Sequence, residues 1–120
     1  MGERVNYTEK EVKDIIKSFP LVPTGDKLFI TLNTEDVDGK LVLSDNVIAE
    51  DQYIIAVGDM ASRQFEEGEK VVIDIKRMTV KEYADHDQTQ VVTRVEVDTI
   101  EVEGKMFGVI FSKFVKAKYK

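Results

Sequence analysis

The chain begins with apolar residues spaced three and four positions apart, which places them along one stripe of an α-helix. These residues are Val12, Ile15, Ile16 and Phe19. Thr8 and Glu11 have the spacing of a capping box, and Pro20 ends the pattern. A helix of about ten residues is marginal on its own, so this stripe must pack on the rest of the chain or on a neighbouring subunit. We therefore predict a short helix within an N-terminal arm of residues 1–20.

Beyond Pro23, apolar and polar residues alternate, as they do in half-buried β-strands. The predicted strands cover residues 27–33, 53–57, 71–76, 91–97, 99–102 and 106–111. Glu103-Gly104 is the predicted hairpin turn between the last two strands. Residues 83–90 are polar and predict a loop, and residues 114–119 fit either a strand or a frayed helix. About six or seven short strands without helices between them predict an all-β fold, a small antiparallel β-barrel over residues 21–120 with a short N-terminal α-helix.

Composition and charge narrow the classes of function. The 120 residues are 42% hydrophobic and 33% charged, as in an ordinary globular domain. A net charge of -6 argues against tight binding to a nucleic-acid backbone, and the lack of cysteine excludes disulfides and thiolate sites. The sequence has neither an apolar run of membrane-spanning length nor an apolar signal core at its N-terminus. We expect an intracellular protein that binds other proteins and uses no cofactor.

Five short segments follow one another in an order that is more informative than any one of them. They are Pro23-Thr24-Gly25-Asp26-Lys27-Leu28, Gly39-Lys40-Leu41-Val42-Leu43, Ala56-Val57-Gly58, Glu67-Gly68-Glu69-Lys70-Val71 and Val102-Glu103-Gly104-Lys105. In order and spacing these segments resemble the motifs of the GroES-like co-chaperonin family. The resemblance covers about residues 21–119.

The resemblance implies a GroES-like barrel that assembles into a ring and caps a chaperonin without catalysing a reaction. In that family, an aliphatic tripeptide on a loop inserts into an apolar groove of the chaperonin ring. The corresponding residues here are Leu41, Val42 and Leu43, which follow Gly39 at the end of an acidic loop. The alternative is that these three aliphatic residues form a core strand.

The resemblance also implies a homo-oligomer, because in that family the segment before the first strand pairs with the last strand of the adjacent subunit. The matching segments here are residues 19–24 and 116–120. Such pairing would cover two exposed sheet edges. The residues expected at this interface are Phe19, Leu21, Val22, Val115, Ala117 and Tyr119.

The sequence differs from the family's pattern in two places, and these differences lead to a second hypothesis. The stretch between Gly58 and Phe65 is too short for the family's roof hairpin, which phage-encoded members can lack, and the N-terminal helix is an addition. The same barrel could therefore serve as a phage virion structural protein, an auxiliary or capsid-decorating subunit. The first hypothesis, a phage-encoded co-chaperonin, places the protein in the host cytoplasm, and the second places it in the virion.

Other candidate chemistry is weaker. Asp85-His86-Asp87 puts oxygen and imidazole donors side by side, but the chain has no other histidine, so we predict no metal site. No two of the 23 acidic residues stand out as a glycosidase pair, which leaves a barrel enzyme as a distant third hypothesis. We expect the basic C-terminal residues to guard an edge strand or meet a neighbour's acidic loop rather than bind nucleic acid. They are Lys113, Lys116, Lys118 and Lys120.

Overall fold

A computed structural model describes residues 6–34, 48–83 and 91–119 of the chain, with the backbone alone for residues 80–83 and 91–95. These residues form mainly antiparallel β-structure with one α-helix, α1, which spans Glu9–Lys17. The strands are β1 Lys27–Ile30, β2 Asp51–Val57, β3 Lys70–Ile73, β4 Thr79–Tyr83, β5 Val91–Val95, β6 Asp98–Val102, β7 Lys105–Phe111 and β8 Val115–Lys118. Short 3-10 helices cover Ala61–Arg63, Ile75–Met78 and Ser112–Phe114.

Six of the strands form one sheet in the order β6-β7-β1-β2-β3-β8, and β4 and β5 form a separate two-stranded sheet. Each neighbouring pair is antiparallel. Within the described ranges, β6 and β8 are the outer strands and do not pair with each other, so the sheet is open there. The prediction of a small all-β fold with a short helix is confirmed, and closure into a barrel stays a prediction.

Alternation along the strands places apolar side chains on both faces of the sheet. Leu28, Ile30 and Ile54 belong to one buried cluster, whereas Phe29 and Ile55 belong to another. The register shifts between Phe29 and Ile30, where an irregularity interrupts the ladder, and such irregularities bend a strand. The main sheet is therefore covered on both faces along its central strands.

Helix α1 covers one of these faces through the predicted stripe. Thr8 and Glu11 form the predicted capping box, with Thr8 N–H donating to Glu11 Oε1 at 3.0 Å and Glu11 N–H donating to Thr8 Oγ1 at 3.3 Å. Val12 is fully buried and shares a cluster with Phe29 and Phe107. The stripe thus packs on the sheet of its own chain, the first of the two alternatives. No helix among the described residues has the length and apolarity to span a membrane.

The hairpin β6–β7 has the turn that the sequence predicts. Glu103 and Gly104 have φ angles of 53° and 79°, the left-handed values required at both central positions of a type I′ turn. The C-terminal segment is a strand rather than a frayed helix, because β8 pairs with β3 from Val71 to Ile73.

Several strand boundaries differ from the prediction, and one strand was not predicted. The strand predicted at 27–33 ends at Ile30, and the one predicted at 71–76 ends at Ile73. After Ile73 the chain turns, with Asp74 N–H donating to the Phe114 carbonyl at 2.7 Å. Strand β4, which pairs with β5, was not expected from the sequence.

Candidate partner-binding site

The predicted chaperonin-contacting residues lie between two described parts of the chain. Gly39, Leu41, Val42 and Leu43 fall outside the described residues, which stop at Thr34 and resume at Ile48. Thr34 and Ile48 form an isolated antiparallel bridge. The Ala49 N–H donates to the Asn33 carbonyl at 2.9 Å, one step further from the segment. The residues that flank segment 35–47 are therefore held side by side.

A buried amide fixes these ends together. Gln52 is fully buried, and its Nε2 donates to the carbonyls of Asn33 and Ala49, both at 2.8 Å. Its Oε1 accepts from the Asn33 N–H and from Thr31 Oγ1, also at 2.8 Å. Two donors and two acceptor bonds are the full capacity of an amide side chain. Gln52 thus binds both ends of the segment at once.

Thr31 explains why β1 ends where it does. Its hydroxyl accepts from the Tyr53 N–H at 2.9 Å while donating to Gln52, and Thr31 is itself fully buried. Side-chain groups thus replace part of the regular pairing between neighbouring strands. The described residues hold no fully buried side-chain oxygen or nitrogen without a hydrogen-bond partner. The base of segment 35–47 is a satisfied polar network, which rigidifies a fold.

The N-terminal arm joins this network from the other side. Asn33 Oδ1 accepts from the Tyr7 N–H at 2.9 Å, and Asn33 Nδ2 donates to the Tyr7 carbonyl at 3.1 Å. Asn6 makes the same reciprocal pair with the backbone of Thr34, at 2.9 and 3.1 Å. Hydrogen bonds therefore join the N-terminal arm to the base of segment 35–47.

Two motif glycines meet beside the β1–β2 pair. The Gly58 N–H donates to the Lys27 carbonyl at 3.0 Å, and the Met60 N–H donates to the Gly25 carbonyl at 3.0 Å. A Cβ at Gly58 would lie 2.3 Å from the Gly25 carbonyl oxygen, which is backbone and has no room to move aside. Glycine is required here by the close approach of two backbones.

The predicted N-terminal interface residues lie in different environments. Phe19 packs edge-on against Phe29 and Phe107, with ring centroids 5.8 and 5.3 Å apart, so it contributes to the chain's own core. Leu21 and Val22 are 42% and 73% exposed. The contact of this segment with a second subunit stays a prediction.

The predicted C-terminal interface residues belong to β8 and its end. Val115 packs partly against the core, whereas Ala117 and Tyr119 are exposed. The Tyr119 hydroxyl donates to Asp51 Oδ1 at 2.7 Å, and this bond to a carboxylate raises the pKa of Tyr119 above its ordinary value. The described part of the chain gives the outer edge of β8 no paired strand. That edge is open to the predicted contact.

Two C-terminal lysines contact acids of their own chain. Lys116 Nζ lies 3.5 Å from Glu50 Oε2, and Lys118 Nζ lies 3.8 Å from Glu69 Oε2. Exposed ion pairs of this kind contribute little to stability. Asp85-His86-Asp87 falls outside the described residues, and in the ranges that are described no three acidic or histidine side chains form a metal-binding group.

Comparisons of the chain with known protein families, curated proteins and solved structures gave no match. Its function must therefore be argued from its own residues and their geometry.

The sequence does carry one signal for the Gln52 network. Gln52 stands two residues before Ile54 on the same buried face of β2, so a polar side chain occupies a core position of the alternating pattern. A polar residue at such a position needs partners. The sequence alone does not reveal that those partners come from Thr31, Asn33 and Ala49.

Proposed function

We propose that this chain is a non-enzymatic, GroES-like oligomeric subunit of phage origin. It binds a chaperonin ring through Leu41, Val42 and Leu43 on segment 35–47. The single observation that carries the proposal is the hydrogen-bonded base of this segment, where Gln52 ties Asn33 to Ala49. A rigid base with an aliphatic tripeptide beyond it suits a binding loop.

The geometry of the base supports the proposal energetically. Holding the two ends of a loop together in advance removes part of the closure entropy that binding would otherwise cost. Each aliphatic side chain buried on a partner contributes about 1.5–3 kcal/mol to the free energy of binding, and the entropy cost of ordering the loop offsets much of this gain. Binding by one copy is then weak, and several copies on one ring make it strong.

The positions of the motif residues also support a GroES-like barrel. Gly25 and Gly58, from two of the five resembling segments, touch each other, and Glu103-Gly104 forms the turn of the late hairpin. In the proposed ring, the open edge of β8 pairs with residues 19–24 of the adjacent subunit, and the main sheet curls into the barrel. This pairing removes an exposed sheet edge.

A second candidate function is a phage virion structural subunit. The β4–β5 hairpin, which lies outside the main sheet, favours this candidate, as does helix α1 fixed on the outside of that sheet. Additional elements of this kind contact neighbours in a packed assembly. A capsid-decorating subunit would use them on the particle surface.

The test of the first candidate is a Leu41→Asp variant, compared with Met60→Asp as a matched control on an exposed residue outside the segment. Wild type and control are expected to form rings and to bind a purified chaperonin in co-sedimentation. Leu41→Asp is expected to form rings and to lose at least ten-fold in affinity, because a charge in an apolar groove is costly. Equal binding by both variants would contradict the loop assignment.

The second candidate predicts a different result. The isolated protein would be monomeric, would not bind a chaperonin, and would be present at a fixed stoichiometry in purified phage particles. Quantitative mass spectrometry of the particles measures this directly. Absence from the particles would rule the second candidate out.

A further inference from the structure

Two residues in front of helix α1, Asn6 and Tyr7, bind the two residues that precede segment 35–47. We call Asn6 and Tyr7 the strap, and the residues that they bind are Asn33 and Thr34. Each side offers one asparagine amide to the backbone of the other side. The Asn33 amide both accepts from and donates to the Tyr7 backbone, and the Asn6 amide does the same with Thr34. These hydrogen bonds are 2.9–3.1 Å long.

Asn33 and Thr34 are held on both of their edges. The Asn33 carbonyl accepts from the Ala49 N–H at 2.9 Å and from Gln52 Nε2 at 2.8 Å, on the side away from the strap. The Thr34 N–H and carbonyl bind Asn6 of the strap. Backbone groups of successive residues in an extended chain point to opposite edges, which accounts for this division. The strap and residues 49–52 therefore bind opposite edges of the same two residues.

The strap is not needed to keep α1 on the sheet. It lies in front of Thr8, the N-cap residue, whose backbone is extended. The helix has its own anchors beyond that point, because Val12 is fully buried and Phe19 packs edge-on against Phe107 at 5.3 Å. The Tyr7 ring also stacks on Phe107, with centroids 6.1 Å apart. Loss of the two asparagine amides should therefore leave α1 in place.

We propose that Asn6 and Asn33 are positioning residues for the partner-binding segment. The strap keeps Asn33 and Thr34 on the extended path that Ala49 and Gln52 also bind. Because both sets of hydrogen bonds restrict the same two residues, each set lowers the entropy cost of forming the other. The strap thus determines how firmly the residues that flank segment 35–47 are held.

The consequence for binding rests on the proposed function. A loop whose flanking residues are already ordered loses less entropy when a partner binds it. The strap therefore raises the affinity of segment 35–47 for the chaperonin ring, although neither asparagine is proposed to touch the ring. This effect separates a positioning residue from one that contacts the partner.

The first test is hydrogen exchange, followed by NMR, in a strap variant that carries Asn6→Ala and Asn33→Ala. The variant keeps the backbone of residue 33, so the hydrogen bond from the Ala49 N–H to its carbonyl is not removed directly. The Ala49 amide is expected to exchange at least ten-fold faster than in wild type. The Val12 amide, which donates to the Thr8 carbonyl at 2.9 Å, is expected to exchange as in wild type because α1 stays in place.

Two further variants serve as controls. Asn6→Ala alone leaves residue 33 unchanged, and it is expected to accelerate exchange at Ala49 at least three-fold. Lys10→Ala with Gln64→Ala removes two exposed polar side chains outside the strap and the base, one of them an amide. This control is expected to leave exchange at Ala49 unchanged.

The second test is binding to a purified chaperonin ring in co-sedimentation. The strap variant is expected to bind at least ten-fold more weakly than wild type, because small losses in each copy add up around a ring. The control with Lys10→Ala and Gln64→Ala is expected to bind like wild type.

Three outcomes overturn the proposal. Unchanged exchange at Ala49 would show that the strap does not hold the base. Equal acceleration at Ala49 and Val12 would report a general loss of stability instead of a local role. Faster exchange at Ala49 with unchanged chaperonin affinity would remove the positioning role. Wild-type protein that does not bind the chaperonin would overturn the proposed function, and exchange at Ala49 would still decide whether the strap holds the base.

Discussion

Gln52 and Gly58 show how single residues position the candidate site. The side chain of Gln52 uses all its hydrogen-bonding capacity to join Asn33 and Ala49 at the base of segment 35–47. Gly58 allows two backbones to approach at a point where any side chain would strike the Gly25 carbonyl. Gln52 therefore acts through its hydrogen bonds, whereas Gly58 acts through the absence of a side chain.

Replacing Gln52 with leucine should destabilise the protein. The substitution leaves Thr31 Oγ1, the Asn33 backbone and the Ala49 carbonyl without their buried partner. Each buried polar group left unpaired costs about 1–3 kcal/mol, so the free energy of unfolding should fall by about 3 kcal/mol. Urea unfolding measures the change. Gln64→Leu, at an exposed position, is the matched control and should stay within about 0.5 kcal/mol of wild type. Equal effects would refute the role given to Gln52.

Alanine at two glycines should have unequal effects. At Gly58 the new Cβ meets backbone at 2.3 Å, whereas at Gly108 it meets only side chains, Leu32 Cδ2 at 2.9 Å and Ile30 Cγ1 at 3.1 Å. Backbone has little freedom to move, but a leucine methyl shifts easily. We expect Gly58→Ala to lower the free energy of unfolding by about 3 kcal/mol and Gly108→Ala by about 1 kcal/mol. Thermal or urea unfolding of both variants tests the order, and the reverse order would be inconsistent with the close contact of Gly25 and Gly58.

At the scale of elements, those with a signal in their own sequence were predicted, whereas strand ends that depend on contacts distant in sequence were not. Helix α1 and the β6–β7 hairpin were predicted because their signals, the Thr8–Glu11 box and Glu103-Gly104, lie within the element itself. The ends of β1 and β3 were not, because residues distant in sequence set them. After β1, the Tyr53 N–H donates to the Thr31 hydroxyl, and after β3 the Asp74 N–H donates to the Phe114 carbonyl.

The sequence likewise indicated only part of the candidate site. The aliphatic residues of segment 35–47 were proposed from their likeness to a family motif and stay a prediction, because they lie outside the described residues. The polar base beside them was not predicted. That base joins Asn6 to Thr34 and Thr31 to Gln52, pairs that are 28 and 21 residues apart. Strand β4 was missed because it pairs only with β5 among the described strands and has no place in the core pattern of the main sheet.

The capping box should make helix stability depend on pH. Its hydrogen bonds hold the pKa of Glu11 below the ordinary value of 4.5, so the ionised carboxylate stabilises the folded state above pH 4.5. This stabilisation is lost as the pH falls through the folded pKa of Glu11. The melting temperature of wild type should therefore exceed that of Glu11→Gln at neutral pH, and the difference should shrink on acidification.

Glu9→Gln controls for the loss of any charge in the first turn of α1, since Glu9 also lies there. The pH dependence of its melting temperature should follow wild type more closely than that of Glu11→Gln does. A difference between wild type and Glu11→Gln that grows on acidification would contradict the sign of the effect.

At the scale of the whole molecule, the main sheet has two open outer strands among the described residues, central strands covered on both faces, and a polar base for segment 35–47. The outer edge of β8 has no paired strand among the described residues, which leaves it open to the proposed contact with another copy. The polar base holds together the residues on either side of segment 35–47, which the proposed function makes a partner-binding loop. These features are consistent with the proposed function.

Hydrogen exchange on the full chain, with and without a purified chaperonin ring, tests the central claim most directly. The amides of Thr31, Asn33 and Tyr53 should exchange slowly in both states, because each already donates a hydrogen bond within the base. Amides of residues 35–47 should become protected only with the chaperonin. Fast exchange at the base, or no new protection in residues 35–47 on a protein that is shown to be folded, would contradict the account.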